Sequence, residues 1–430
     1  MSTDQLATLY ALYLRSSGVS TDTRSIAPGN LFFALRGDSF NGNAYAQRAL
    51  SQGAVAAVVD EPEYAAEGCL LVGDALRALQ QMALHHRQTL GTPIVGITGT
   101  NGKTTTKELL AAVLAAKFRT IATQGNLNNH IGVPLTLLAL HPRVEVAVVE
   151  MGANHPNDIE ELVRIAQPNY GLITNVGRAH LAGFGSLGGV VQAKTALYRY
   201  LAQNDGVVFY NADNVLLNSQ IAQCEVRNAV PYSAVVDGPV RLAEHGGYLS
   251  MGLNIGGEEH RLDTQLVGRY NAENVLAALA VGLHLGVPVR DALAAIAAYK
   301  PSNNRSQRID TGRNVVTMDA YNANPSSMAV AIAAFASVQA KRRVAIVGEM
   351  LELGDSSPVE HQRVVEQLQA AQLDAVMLVG DGFTPIDAPY PHYASVAECA
   401  EALRQQPIEG AAVLLKGSRG VGLERLLELL

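Results

Sequence analysis

A glycine-rich stretch near residue 100 carries the side chains and backbone that phosphate binding needs. The apolar run at 93–97 predicts a buried strand, and the Ala/Leu-rich run after the lysine predicts a helix. Between them, Gly99 and Gly102 permit a tight turn whose amides point at an anion. Lys103 would neutralise phosphate charge, and the Thr104 hydroxyl can reach a magnesium ion. The predicted phosphate loop comprises Gly99, Thr100, Asn101, Gly102, Lys103, Thr104 and Thr105.

The spacing of this loop departs from the common G-x-x-x-x-G-K-[ST] pattern. Ile97 stands where the first glycine of that pattern belongs, and a shorter G-x-x-G-K-T is present instead. An ordinary glycine-rich turn with a nearby lysine is therefore the alternative. Because strand, loop, Lys-Thr and helix follow one another in the required order, the pattern favours the phosphate cradle.

Two further residues follow predicted strands and are candidates for the same site as the phosphate loop. Glu150 ends the valine-rich run at 144–149, and nucleotide enzymes place a magnesium ligand at the carboxyl end of such a strand. His180 lies in a glycine-rich loop after the predicted strand at 170–176. A structural histidine is the alternative for that residue. Both residues are expected at the same sheet edge as the phosphate loop, so both are candidates for the nucleotide site.

Length and composition exclude several classes of protein. The 430 residues contain 48% hydrophobic and 17% charged residues, which is typical of a globular chain of two to four domains. The net charge of −7 argues against a general nucleic-acid or anionic-membrane surface. Three widely spaced cysteines, without a C-x-x-C pair, suit a reducing cytoplasm and no structural zinc. No signal peptide or membrane span is expected from the hydropathy pattern.

The elements that must position these residues predict an α/β fold of three domains. Residues 1–90 predict a small N-terminal α/β module, and residues 91–298 alternate strand and helix as a parallel sheet requires. A local antiparallel patch is expected at 240–263, where Gly-Gly turns separate strands. After a polar segment that contains proline, residues 299–430 predict a third, Rossmann-like domain.

Polar loops at predicted strand ends mark further candidate sites. The loops at 20–24 and 36–42 each carry an arginine, which suits a diphosphate, with ordinary cap and turn chemistry as the alternative. Asn271 and Asn274 can present amides to an adenine edge, although Asn271 is also a natural helix N-cap. From the residues alone, we expect an ATP-dependent, magnesium-requiring ligase rather than a switch GTPase, since no N-K-x-D motif is present.

At this point the chain is identified as resembling the Mur ligase family over essentially its whole length. The segments at 98–105, 125–132, 150–154 and 175–180 are similar to the family's ATP loop and the motifs that follow it. The N-terminal and C-terminal segments are most similar to the branch that adds D-alanyl-D-alanine. They lie at residues 22–24, 31–37, 303–307, 319–325 and 416–420. The resemblance implies an ATP-dependent amide ligase that joins D-alanyl-D-alanine to UDP-N-acetylmuramoyl-tripeptide through an acyl phosphate, in the cytoplasm and as a monomer.

The resemblance also implies a role for each matching residue. The expected catalytic residues are Lys103, Glu150, His180 and Lys194. The expected ligands of two magnesium ions are Thr104, Glu150, His180 and Lys194. Nucleotide contacts beyond the phosphate loop are expected from Asn271, Asn274, Arg305 and Asp319. Substrate contacts are expected from Thr23, Arg24, Arg36, Gly37, Asn41, Gly42, Asn128, Asn129, Asn322, Asn324, Lys416, Ser418 and Arg419.

Lys194 matches the family's carbamylated lysine, in the middle of a helix expected at 187–201. An exposed helical lysine is the alternative from the pattern alone. Ala182, Ala196 and His130 depart from residues common in relatives, and none is a proposed metal ligand. Competing functions are a sibling ligase for the third amino acid, a folylpolyglutamate-type synthase, and a nucleotide-binding regulator without chemistry. The pattern does not distinguish diaminopimelate from lysine as the third residue of the tripeptide.

Overall fold

The structure, a computed structural model, describes residues 1–37, 39–178 and 181–430, with only the backbone of Leu181 and Ala182. Its strands form three sheets of mainly parallel pairing, together with one antiparallel sheet and one short hairpin. The expected α/β architecture of three domains is confirmed. The domain boundaries at 90/91 and 298/299 stay predictions.

The N-terminal domain is built on a four-stranded parallel sheet in the order β1-β2-β5-β6. Its strands are β1 (Gly18–Ser20), β2 (Asn30–Phe33), β5 (Ala56–Val59) and β6 (Cys69–Leu71), with a hairpin of β3 (Arg36–Gly37) and β4 (Phe40–Asn41). Its helices are α1 (Thr3–Arg15), α2 (Ala46–Ser51) and α3 (Ala75–Leu90). The apolar side chains of β2 and β5 are buried on both faces, as expected for a covered parallel sheet.

The central domain has a six-stranded parallel sheet in the order β12-β11-β10-β7-β9-β8. Its strands are β7 (Ile94–Thr98), β8 (Thr120–Ala122), β9 (Val146–Glu150), β10 (Tyr170–Ile173), β11 (Val207–Tyr210) and β12 (Asn228–Pro231). The helices between them are α4 (Lys103–Ala115), α5 (Gly132–Leu138), α6 (Asp158–Ala166), α7 (Leu181–Phe184), α8 (Leu187–Lys194), α9 (Ala196–Gln203) and α10 (Val215–Gln223).

The central domain is completed by an antiparallel sheet and two helices. The sheet contains β13 (Arg241–His245), β14 (Tyr248–Ile255) and β15 (Glu258–Asp263), which agrees with the antiparallel patch expected at 240–263. The helices are α11 (Asn271–His284) and α12 (Val289–Ala298). One core cluster joins α11, α4 and β14, and another joins the opposite face of the parallel sheet to α3 of the N-terminal domain. The N-terminal and central domains therefore share a continuous apolar core.

The C-terminal domain has a six-stranded sheet in the order β16-β17-β21-β18-β19-β20. Its strands are β16 (Gln307–Asp310), β17 (Val315–Asp319), β18 (Arg343–Gly348), β19 (Ala375–Val379), β20 (His392–Tyr393) and β21 (Ala412–Lys416), with β16 alone antiparallel to its neighbour. Its helices are α13 (Pro325–Ala336), α14 (Ser357–Ala370) and α15 (Val396–Gln405). Core clusters cover both faces of this sheet.

Two helices differ from the sequence-based expectation. The helix expected at 187–201 is two helices, α8 and α9, separated at Thr195. The Thr195 hydroxyl bonds back to the carbonyl oxygens of Val191 (2.8 Å) and Gln192 (3.2 Å), a contact that tends to bend helices. Asn271 is the first residue of α11 and Tyr270 occupies the cap position, while Asn271 Oδ1 accepts from the side-chain amide of Asn274. Across the described ranges, no helix combines the length and apolar character needed to cross a membrane.

Candidate active site

The phosphate loop joins β7 to the N-terminus of α4. Gly102 occupies the N-cap position of α4 with φ of +80°, a backbone conformation that favours glycine. A Cβ atom at Gly102 would lie 2.7 Å from Asn274 Oδ1. Lys103 and Thr104 follow in the first helical turn, where backbone amides have no acceptor within the helix. The loop therefore directs unpaired donors and the positive end of a helix dipole toward one point.

Lys103 provides the positive charge at this point. Its Nζ atom donates to the carbonyl oxygens of Gly99 (2.7 Å) and Thr100 (3.1 Å), so the ammonium lies against the loop. Loss of hydration lowers the pKa of Lys103 from its usual value to about 8, while the nearby Glu150 carboxylate opposes that shift. The protonated form is the one that would neutralise phosphate charge.

Glu150 ends β9 beside Thr104, and its carboxylate has the character of a metal ligand. Its Oε1 atom accepts hydrogen bonds from the Thr104 hydroxyl (3.3 Å) and from the amide of Asn128 (2.8 Å). Its Oε2 atom is buried and has no hydrogen-bond partner within the described part of the chain. The ammonium of Lys107 lies 4.0 Å from Oε2. A buried carboxylate oxygen beside a hydroxyl is a hard oxygen donor set, which fits magnesium.

We expect Glu150→Gln to lower kcat by about 10²-fold, because one charged ligand of the proposed magnesium site is lost while its shape is kept. The magnesium concentration needed for half-maximal activity should rise in the same variant. Titration of phosphate release with magnesium measures both effects. Glu145→Gln is the matched control, since Glu145 precedes the same strand and its half-exposed carboxylate pairs with Arg119 instead. Unchanged magnesium dependence in Glu150→Gln would contradict the assigned role.

Asn271 and Asn274 line the wall above the phosphate loop. Both side chains are buried, and the Asn274 amide donates to Asn271 Oδ1 at 2.8 Å. Asn274 Oδ1 accepts from the hydroxyl of Thr106 on α4 at 3.0 Å. The pair is therefore fixed between α11 and α4, and its expected contact with adenine stays a prediction.

The C-terminal domain reaches the same site with residues at the ends of β17 and β21. Lys416, which is almost fully buried, pairs with Asp319 at 2.9 Å and donates to the carbonyl oxygen of Asn322 at 2.7 Å. Asn324 caps α13 and also donates to Asn101 Oδ1 of the phosphate loop at 2.9 Å. Side chains from two domains are thus in direct contact at the phosphate loop.

Lys194 is the last residue of α8 and is 2% exposed. Burial holds the pKa of Lys194 well below its usual range, and the charge of Lys103 lowers it further, while Asp158 acts in the opposite direction. Burial of Lys194 therefore favours the neutral amine over the ammonium. The exposed helical lysine that the pattern allowed is excluded by this burial.

The candidate substrate residues of the N-terminal domain lie after β1 and β2, at one edge of that sheet. Arg24 is exposed and pairs with Asp22, and its guanidinium lowers the pKa of that carboxyl to about 2. Arg36 pairs with Glu61 at 3.3 Å, and the amide of Asn41 donates to the same carboxylate at 2.8 Å. Thr23, Gly37 and Gly42 belong to the same two loops. The parallel strands thus bring both loops to one surface.

A cavity of about 730 Å³ lies between the central and C-terminal domains. The predicted site residues that line it are Thr100, Asn101, Gly102, Lys103, Thr104, Thr105, Asn128, Asn129, Glu150, Asn271, Asn274, Arg305, Asp319, Asn322, Asn324 and Lys416. The N-terminal candidates and Gly99, Lys194, Ser418 and Arg419 are not among the described lining residues. His180 lies outside the described residues.

Several lining residues were not predicted as site residues, and two of them contact predicted ones as follows. Asn175 accepts from the backbone amide of Asn101 at 2.9 Å and so supports the phosphate loop. The ring of Tyr321 packs against the Arg305 guanidinium, 3.9 Å from its carbon. Both residues belong to motifs that the sequence analysis singled out. The residues that they contact lie elsewhere in the chain, so these contacts were not predicted.

In a comparison with known proteins, models of one family match three successive parts of the chain. A model described as the Mur ligase family catalytic domain matches residues 15–90, the Mur ligase middle domain matches 97–282, and the Mur ligase glutamate ligase domain matches 304–419. The UDP-N-acetylmuramoyl-tripeptide–D-alanyl-D-alanine ligase of Bacillus subtilis is 34% identical, covering 96% of this chain and 92% of its own. The Escherichia coli ligase of the same name is 36% identical, covering 96% of this chain and 93% of its own.

Solved structures give the same result for the fold. The crystal structure of MurF from Acinetobacter baumannii superposes with a TM-score of 0.88 at 28% identity, covering 99% of this chain and 98% of that one. MurF ligase from Thermotoga maritima, solved in complex with ADP, superposes with a TM-score of 0.85 at 26% identity. It covers 97% of both chains.

Proposed function

Because this chain belongs to the Mur ligase family, we propose that it joins D-alanyl-D-alanine to UDP-N-acetylmuramoyl-tripeptide with ATP, forming the pentapeptide precursor of peptidoglycan. One observation carries the proposal for the site. The phosphate loop with Lys103 and Glu150 meets Asp319 and Lys416 of the C-terminal domain across a single cavity. A ligase needs such a cavity, since an activated phosphate and two further substrates must come together.

ATP is the nucleotide that this site uses, and a related ligase was solved with ADP. We infer that Thr104 and Glu150 hold a magnesium ion, with His180 and Lys194 as further ligands at a second one. The Oε2 of Glu150 supports this inference, because this buried oxygen accepts no hydrogen bond from the described residues and its only paired cation there, Lys107, is 4.0 Å away. When bound, magnesium offsets the negative charge of phosphate oxygens.

The reaction has two steps. The terminal carboxylate of the tripeptide attacks the γ-phosphorus of ATP, so a new P–O bond forms and the bond to ADP breaks. The amine of D-alanyl-D-alanine then attacks the carbonyl of the acyl phosphate, and the C–O bond to phosphate breaks as the amide forms. The amine loses its proton in this second step. Lys103 and the amides of the phosphate loop hold the phosphates in place while charge moves between oxygens.

We assign the substrate positions from the loops at the edges of the N-terminal and C-terminal sheets. The Arg24 and Arg36 loops of the N-terminal domain would bind the UDP end through its diphosphate. Asn128 and Asn129 line the cavity with Glu150 and would also contact the tripeptide substrate. The dipeptide would be bound by Asn322, Asn324, Lys416, Ser418 and Arg419. Asn271, Asn274, Arg305 and Asp319 would contact the nucleotide. A cytoplasmic location and a monomeric state complete the proposal.

Phosphate release from ATP and magnesium tests this function. The assay contains UDP-N-acetylmuramoyl-tripeptide in its diaminopimelate or its lysine form, with or without D-alanyl-D-alanine, and the product is identified by mass spectrometry. We expect release that needs both substrates and yields a pentapeptide with one of the two forms. Release with neither form, from a protein that still binds ATP, would contradict the proposal and favour a sibling ligase first and a nucleotide-binding regulator second.

A further inference from the structure

Glu108 connects the helix of the phosphate loop to the segment that leads into the C-terminal domain. It is the sixth residue of α4, which begins at Lys103. Its Oε1 atom accepts a hydrogen bond from the Asn303 amide at 2.5 Å, and its Oε2 atom accepts one from the Tyr299 hydroxyl. The polar segment 299–303 is therefore held at both ends by one carboxylate.

The surroundings of Glu108 make these hydrogen bonds strong. The ammonium of Lys107 lies 3.8 Å from Glu108 Oε1 and is itself buried, donating to the Thr123 carbonyl at 2.9 Å. The Glu108 side chain is only 21% exposed. Hydrogen bonds to an ionised acceptor are shorter and stronger than those between neutral groups, and more so away from water. Burial and the bond to Glu108 raise the pKa of Tyr299, so its hydroxyl remains a donor.

The chain changes partners directly after Asn303. The carbonyl oxygen of Asn304 accepts from the Tyr321 amide at 3.3 Å, and the Ser306 amide donates to Asp319 Oδ1 at 3.2 Å. Both partners belong to the C-terminal domain. The Ser306 hydroxyl still reaches back to the central domain, where it lies 2.6 Å from the Tyr270 hydroxyl.

Two residues of the same short segment have a strained backbone. Asn304 has φ of +52° and Ser306 has φ of +48°, which residues other than glycine seldom adopt. Arg305, a candidate nucleotide contact, lies between them. Residues that absorb a change of φ and ψ between rigid bodies are the hinges of domain closure. The anchored segment and the strained segment are thus adjacent, with the boundary between Asn303 and Asn304.

We propose that Glu108 is a positioning residue. It fixes segment 299–303 to the phosphate-loop helix, so that the C-terminal domain can pivot only at residues 304–306. The anchor therefore determines the position of Arg305 relative to Lys103. The kinetic consequence rests on the function proposed above, whereas the mechanical consequence does not. Without the anchor, the linker gains the length of segment 299–303, and the closed arrangement is reached less often.

The kinetic test compares Glu108→Ala, Tyr299→Phe and the double variant. We expect Glu108→Ala to lower kcat/KM for ATP by about 10- to 100-fold, since misplacing one contact group by an ångström has effects of that size. The KM for UDP-N-acetylmuramoyl-tripeptide should stay within about twofold, because its N-terminal site does not use the linker. The double variant should have the same kcat/KM for ATP as Glu108→Ala alone, because Glu108→Ala already removes the hydrogen bond that Tyr299→Phe removes. Glu401→Ala, at an exposed pair with Arg404, is the control.

The mechanical test is small-angle X-ray scattering of the full chain with magnesium and a non-hydrolysable ATP analogue. Wild type should reach a smaller radius of gyration than Glu108→Ala under the same conditions. Equal radii, or additive kinetic losses in the double variant, would overturn the anchor. If Glu108→Ala does not fold, Tyr299→Phe and Asn303→Ala carry the same comparison. A wild type without ligase activity but with the predicted difference in scattering would refute the proposed function and support the anchor.

Discussion

Lys103→Ala should lower kcat for ATP-dependent phosphate release by about 10³-fold while leaving the fold intact. Lys103 is the positive side chain at the centre of the phosphate loop, and its ammonium already lies against that loop. Its removal takes away charge that the transferring phosphoryl group needs, and no core contact. Steady-state kinetics with both substrates, together with circular dichroism, measure the two expectations.

The matched control is Lys117→Ala, which removes an exposed lysine just after the same helix. Near-wild-type turnover in Lys103→Ala would refute the role of the lysine and of the loop. An unfolded Lys103→Ala protein would instead show a structural role. Only loss of turnover in a folded protein, with an unaffected control, agrees with the proposal.

The pKa of Lys103 predicts a pH dependence. Since its pKa in the unliganded protein is about 8, raising the pH through that value removes the charge that binds ATP. The ratio kcat/KM for ATP reports the free enzyme and should therefore fall above about pH 8. In the ATP complex the phosphates favour the ammonium, so the fall in kcat should come at higher pH. Coincident profiles for kcat and kcat/KM would contradict this assignment.

Lys194→Ala should also be inactive, with kcat lower by about 10³-fold, for a different reason. Burial and the charge of Lys103 lower the pKa of Lys194, which favours the neutral amine, the form that reacts with carbon dioxide. In that reaction the nitrogen forms a bond to carbon and loses a proton, and the side chain becomes an anion. We propose that this carbamate, rather than the ammonium, is the active form of Lys194.

Short carboxylic acids such as acetate or formate should partly restore the activity of Lys194→Ala, since they supply an anion to the space left by the side chain. Wild type supplied with ¹³C-labelled carbon dioxide should show a carbamate carbon signal that Lys194→Ala lacks. Lys341→Ala, at an exposed position, is the control for both measurements. Absence of the signal in wild type and of any rescue in the variant would overturn the carbamate.

Local patterns in the sequence were sufficient for the elements and for the centre of the site. The β-branched run before Gly99 and the glycines around Lys103 define strand, turn and helix through contacts between neighbours in the chain. Glu150 was predicted at a strand end for the same reason, and it is the last residue of β9. Because parallel strands end at one edge of a sheet, the approach of Glu150 to Thr104 was also predictable.

Tertiary contacts decided what local patterns leave open. Lys194 is buried by helices and loops that are far away in sequence. This burial lowers the pKa of Lys194 and so distinguishes it from an exposed helical lysine. The break at Thr195 is different, because its hydroxyl bonds back to Val191 and Gln192, a local contact that the pattern of apolar residues does not reveal. The Glu108 anchor joins residues almost 200 positions apart. Such pairings are set by how three domains pack, because each partner alone is an ordinary polar residue on a helix or a loop.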